Sequence, residues 1–313
     1  MNTFCASKWL GAFALTTLFA PWAPVWAATV KIGLIDFALR RETLNSFDHV
    51  TIRSITFDAS NYKAARYQSA KHTRGHGDVM VGELIAAFQA AAPENKLELY
   101  VASPFLENPN TGQQVIDFDQ LAFAYTWFAR QGVKIIAQTF VANDNPQLAS
   151  AVAAADEQGL VILTSAGNGP QQNAVPPFPA SYDKTIGIST TALQAELRAE
   201  KNRNAYVRYS VKAPSVSTLK LRQDPELSVL NGSSRATVAA AGLLGALTTR
   251  YRIQTRDDAT QLLDSIAVPV AEYGSHDFYG MGVLVIDVVA QHLRTPGMAP
   301  ELKRMLLNNQ ASV

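Results

Sequence analysis

The segment Ser233–Arg250 (SSRATVAAAGLLGALTTR) constrains the fold more than any other part of the chain. It opens on two serines, residues suited to a helix N-terminus, and continues almost entirely with Ala, Leu, Val and Gly. A helix that is apolar on nearly every side has no face to give to water, so it belongs inside a large domain. Its small residues let neighbouring elements come close. A serine at the mouth of such a helix is rigidly held, with backbone N–H groups nearby.

Short apolar runs alternate with helical patterns through the rest of the chain. Thr29–Asp36, Thr51–Phe57, Leu97–Ser103, Lys134–Phe140, Leu160–Ala166 and Thr185–Ser189 read as strands, and Asp78–Ala92, Phe118–Gln131 and Pro146–Gln158 as helices. Strand-length apolar runs interleaved with helices predict an α/β fold with a parallel sheet covered on both faces. From about Asp257 the pattern is mainly helical. No internal repeat, low-complexity tract or Pro/Gly-rich linker divides the chain, so residues 28–313 are expected to form a single domain.

Residues 1–27 read as a secretory signal peptide. Lys8 supplies the charge, Trp9–Ala20 the apolar core, and Val25-Trp26-Ala27 the modest residues before a cleavage expected after Ala27. The core is too short to span a bilayer comfortably, so no membrane span is expected after cleavage. The mature chain is expected to be secreted, in the periplasm or outside the cell. Cys5, the one cysteine, lies within that segment; this rules out a cysteine nucleophile and a disulfide scaffold. A net charge of +1, from 27 basic and 26 acidic side chains, gives no basic excess for nucleic acid.

Four local patterns combine into one chemical proposal. Asp36 ends a strand, where sites form in open α/β sheets. His76 sits between Gly75 and Gly77 just before a helix. Asn168 lies in Ser165-Ala166-Gly167-Asn168-Gly169 at another strand end, and Ser234 opens the buried helix. A serine hydroxyl is a poor nucleophile near neutral pH and needs a base within hydrogen-bond reach. His76 is the candidate base, and a buried Asp36 would fix its tautomer and stabilise the imidazolium. An amide donor such as Asn168, with a backbone N–H at the helix start, suits a developing oxyanion. Each pattern alone is weak; the specific signal is the order Asp, His, Asn, Ser, each in its right context.

With these residues the chain resembles the subtilisin-like serine peptidases. Ile32–Asp36 is similar to the family's aspartate strand, and His76-Gly77 with Val81-Gly82 to its histidine motif. Thr164–Asn168 is similar to its oxyanion-asparagine motif, and Gly232-Ser233-Ser234-Arg235-Ala236 to its Gly-Thr-Ser-Met-Ala serine motif. Val175–Pro179, Ala213-Pro214 and Phe278–Gly282 add supporting matches, so the likeness runs from about residue 30 to 290. The resemblance implies a three-layer fold with a mostly parallel, roughly seven-stranded sheet. It also implies endopeptidase activity on polypeptides through an acyl-enzyme, with Thr139, Phe140, Val141, Ser165, Ala166 and Gly167 binding substrate.

The departures mark a divergent branch. Phe37-Ala38 follow the aspartate where the family has a small polar residue and glycine. Asp78-Val79 replace Thr-His; an Asp78 facing the imidazole would raise its pKa. Thr139-Phe140-Val141 stand where the family reads Ser-Leu-Gly, which could narrow the cleft. Only residues 28–35 separate Ala27 from Asp36, so no pro-segment is expected. No Asp-x-Asp-x-Asp-Gly calcium loop occurs, and His49, His72, His276 and His292 form no metal spacing, so neither cofactor nor metal is expected.

Other readings fit less well. Gly75-His76-Gly77 lacks the third glycine of a dinucleotide fingerprint. The acid and histidine precede the serine, opposite to the order of α/β-hydrolases. The competing reading is a catalytically silent subtilisin-like fold kept as a binding or scaffolding module. The altered flanks favour it and the four intact polar residues oppose it.

Overall fold

The computed structural model describes residues 28–45, 47, 49–57, 64–65, 75–107, 114–168, 176–191, 206–212, 232–269 and 280–294. The segment read as a signal peptide, Ala213-Pro214, Gly169, Val175, Phe278-Tyr279, His72 and His276 lie outside them. In chain order the strands are β1 (Thr29–Ile35), β2 (Val50–Phe57), β3 (Ala64–Ala65), β4 (Lys96–Ser103), β5 (Phe105–Glu107), β6 (Gln114–Ile116), β7 (Ile135–Gln138), β8 (Val161–Ser165), β9 (Ile186–Thr190), β10 (Tyr209–Lys212) and β11 (Val283–Val285). The helices are α1 (His76–Ala91), α2 (Phe118–Arg130), α3 (Pro146–Glu157), α4 (Ser233–Leu247), α5 (Arg256–Ile266) and α6 (Ile286–Arg294).

Among the described residues the main sheet has nine strands in the order β11-β10-β9-β8-β7-β1-β4-β2-β3. Every pairing in it is parallel except that of the two-residue β3 with β2. The expected count of about seven is exceeded by short strands at the edges. β10, β11 and the β5–β6 hairpin were not expected from the sequence, since three or four residues carry too little periodicity to stand out.

Alternation along each strand splits the core into two. Val30, Ile32 and Leu34 of β1 join Leu97, Leu99 and Val101 of β4 and Val161 and Leu163 of β8 on one face, against α1, α4, α5 and α6. Ile35, Tyr100, Ala102, Ile136 and Ile162 point the other way, against α2 and α3. Helices thus cover both faces, and the layers number three. α4 lies in the first of these cores with all its residues buried except Arg235, as its composition requires. β1 is the strand from which the chain first winds toward β4 and β2 and later, through β7, to the opposite side. The crevice between the C-terminal ends of β1 and β7 is therefore a topological switch point, where open sheets bind ligands.

Candidate active site

That crevice is flanked by Asp36, directly after β1, and Thr139, directly after β7. Asp36 is 1% exposed. Its Oδ1 accepts from His76 Nδ1 at 2.7 Å and from the Phe37 N–H at 2.6 Å. Its Oδ2 accepts from the Thr139 hydroxyl at 2.6 Å. With Nδ1 engaged by the carboxylate, the neutral imidazole carries its proton there and leaves Nε2 as a base. Burial disfavours the charged ring, but the charge of Asp36 and its hydrogen bond outweigh that, and the His76 pKa is raised above its ordinary value.

His76 is the first residue of α1, two positions before the start of the helix expected from the sequence. Gly75 before it takes a left-handed backbone (φ 78°), a turn that only glycine adopts cheaply. Gly77 after it is held against the Asp36 loop, where an added Cβ would lie 2.4 Å from the Phe37 carbonyl oxygen. These two glycines let the helix start close enough to Asp36 for the ion pair to form.

The Ser234 hydroxyl donates to the Thr139 carbonyl at 3.0 Å. Asp36, His76, Thr139 and Ser234 therefore form one connected cluster, with Thr139 touching both the acid and the serine. This role of Thr139 was not legible in its sequence; only its place as a strand-end residue was. The serine pair also behaves differently from an ordinary cap. Gly232 holds the N-cap position without a side-chain bond, and Ser233 and Ser234 sit inside the helix. Their hydroxyls reach across to other strand ends instead: Ser233 also pairs with Ser165 Oγ.

Ser233 engages Asn168 as well. Its backbone N–H and its hydroxyl both donate to Asn168 Oδ1, each at 2.7 Å. Two donors on the carbonyl oxygen fix the amide's orientation and leave Nδ2 to donate elsewhere. Gly232 makes room for this, since a Cβ there would meet the Asn168 amide at 2.8 Å. Ser233 is the site residue that the sequence reading missed; a second hydroxyl beside the serine was the available signal.

Of the other expected substrate residues, Ser165 and Ala166 have buried side chains and Phe140 is 8% exposed, whereas Val141 is 42% exposed. Gly167 faces Val141, at 3.8 Å from an added Cβ to Cγ2. Phe37 stands edge-on to the His76 ring at 5.7 Å and stacks on Phe105 at 4.3 Å, which in turn meets Phe140 at 5.7 Å. Asp78 corrects the expectation that it faces the imidazole. It is fully buried, and its oxygens accept from the Arg40 N–H (2.9 Å), Arg40 Nε (2.7 Å) and the Thr43 hydroxyl (2.6 Å). Two residues along a helix point to different faces, and this carboxylate ties α1 to the loop after β1. Among the described residues no group of three His, Cys, Asp or Glu could hold a metal, and no helix is long and apolar enough to cross a membrane.

A buried carboxylate on the inner nitrogen of a histidine, joined through Thr139 to a serine in the first turn of a helix, is the arrangement of a serine hydrolase. Residues 28–282 match the family model described as the subtilase family, peptidase S8. Subtilisin DY from Bacillus licheniformis is 24% identical over 277 residues, 84% of this chain and 92% of that protein. The major intracellular serine protease of Bacillus subtilis (strain 168) is 26% identical over 235 residues, 71% of each chain. Among solved structures, the epidermin leader peptide processing serine protease from Staphylococcus aureus superposes with a TM-score of 0.57 at 17% identity, over 86% of this chain and 76% of that one. A lanthipeptide protease gives 0.54 at 15% identity, over 84% and 87%. The chain belongs to the subtilase family and is a serine-type endopeptidase.

Proposed function

We propose that peptide bonds are cleaved through an acyl-enzyme on Ser234, with His76 as general base and Asp36 as the group that orients it. The observation carrying this reading is the cluster in which Asp36 holds His76 at 2.7 Å while Thr139 binds Asp36 with its hydroxyl and Ser234 with its carbonyl. One hydroxyl carries one proton, so the Ser234 bond to Thr139 and a bond to the imidazole are alternatives. Attack begins when the Ser234 hydroxyl turns from Thr139 to His76 Nε2. Nε2 takes the proton as Oγ bonds to the substrate carbonyl carbon, and Asp36 stabilises the imidazolium.

The oxyanion is received by Asn168 Nδ2 and by the Ser234 N–H, one of the first-turn donors that have no partner within a helix. His76 then gives its proton to the leaving amine, and a water activated by the same imidazole releases the acyl group. The backbones of Thr139–Val141 and Ser165–Gly167 flank the substrate, with the Phe37–Phe105–Phe140 row beside the histidine. Residues 1–27 act as an export signal in this reading, which places the enzyme in the periplasm or outside the cell.

A fluorophosphonate probe tests the proposal. The wild-type chain is expected to be labelled on Ser234, and Ser234→Ala and His76→Ala to lose labelling and peptide hydrolysis. A folded wild-type chain that takes up no label and cleaves no peptide would leave the silent-scaffold reading standing.

A further inference from the structure

Helices α1 and α4 carry His76 and Ser234 at their first turns and pack extensively on each other. Their backbones come into contact: a Cβ on Gly242 of α4 would lie 2.4 Å from the Leu84 carbonyl oxygen of α1. Gly242 meets Leu84, Ala87 and Phe88 there, and a charged pair also joins the two helices. Glu83 of α1, 2% exposed, lies against Arg235, the residue after Ser234, with Oε2 2.9 Å from Nε. The contact is an ion pair off the line of a hydrogen bond.

Such a pair is a poor source of stability. Bringing a carboxylate into an apolar helix interface is costly, and an ion pair off hydrogen-bond geometry offsets only part of that cost. Two apolar side chains would hold the helices together at least as well. What the pair adds is direction: it ties a point on α1 to the first turn of α4, beside the serine. Apolar contacts between small residues set how near the helices come, and a charge pair adds a preference for one relative placement.

We propose that Glu83 and Arg235 are positioning residues for the peptidase reaction, fixing the start of α4 relative to the start of α1 so that Ser234 meets His76 in reactive alignment. This rests on the reading in which those two residues act together. The pair touches neither reacting atom and acts through where it puts them.

The experiment compares Glu83→Gln, Arg235→Leu, Arg235→Lys and the double variant Glu83→Leu/Arg235→Leu in the full chain. The readouts are Tm, kcat and KM on a peptide substrate, and the rate of fluorophosphonate capture. Either removal breaks the buried ion pair, so both single removals should lower Tm, and the double variant should regain most of it. Catalysis should not follow Tm. In the double variant kcat and probe capture should stay about tenfold or more below wild type with KM within about twofold, as expected for misplaced reacting groups. Arg235→Lys, which keeps the charge, should recover part of kcat. A double variant that regains both Tm and wild-type kcat overturns the proposal, and so does a rise in KM with kcat unchanged, which would place Arg235 on the substrate. If the wild-type chain itself is not labelled at Ser234, the reading beneath the proposal fails instead.

Discussion

Burial and the Asp36 charge pull on His76 in opposite directions, and the net pKa lies above 6.5. The base works only when neutral, so the acid limb of kcat/KM for the free enzyme should fall above pH 6.5. Asp36→Asn removes both influences that raise the pKa. Its acid limb should therefore move down in pH, while kcat drops by about 10⁴-fold as the tautomer is lost. Stability runs the other way. A histidine with a raised pKa contributes fully below its unfolded value, and the contribution is lost as pH rises through the folded value. The Tm advantage of wild type over His76→Gln should thus be largest below pH 6.5 and shrink above it. Asn168 separates two jobs in one side chain. Asn168→Asp keeps the acceptor that Ser233 uses but loses the donor, so Tm should change little while kcat falls about 10²–10³-fold. Equal losses in Tm and kcat would make Asn168 a structural residue. Asp78→Ala should cost about 1–3 kcal/mol, read by denaturant unfolding, because three hydrogen bonds to a carboxylate go with it. The acid limb should stay where it is, since Asp78 faces Arg40.

Two helix starts show how differently an N-terminus can be built. α5 begins with a reciprocal capping box, Thr255 bonded to the Asp258 N–H and Asp258 bonded back to the Thr255 N–H. It is a local device, legible as Thr-x-x-Asp, and Thr255→Ala should cost about 1 kcal/mol in Tm-based stability with kcat untouched. α4 begins with Gly232 and no side-chain cap, because its serines are engaged by strand ends far away in sequence. Gly232→Ala should therefore act on chemistry. Gly232 has extended backbone (φ 171°) that alanine tolerates, but the new Cβ would press on the Asn168 amide. We expect a fall in kcat and in probe capture with far-UV circular dichroism unchanged; a kcat equal to wild type would show that the amide has room to yield.

At the scale of the whole molecule, legibility in the sequence followed the range of the interactions. β1, β4, β7, β8, α1, α2 and α3 were readable to within a residue or two, because hydrophobic period is a local property. In the structure Asn145 and Asp117 cap the helices that begin at Pro146 and Phe118. The short strands β10 and β11 carried too few residues to show a period. The site was legible only as four separate strand-end and helix-start residues. Thr139 and Ser233, which join them, looked like any hydroxyl residues near a turn, since their partners sit 103 and 65 positions away. The same distances have a consequence for the life of the chain. The bonds that join Asp36, His76, Thr139 and Ser234 to one another span long stretches of the sequence, from 40 positions for His76–Asp36 to 95 for Ser234–Thr139 and 103 for Thr139–Asp36. Long-range pairing of this kind forms late in folding. During refolding, probe capture at Ser234 should therefore rise only with the slowest global phase, and capture running ahead of it would mean the site forms in a fragment. On that order of events a half-made or partly opened copy should be open to cutting by a finished neighbour yet unable to cut, so that activity is met only in molecules already complete.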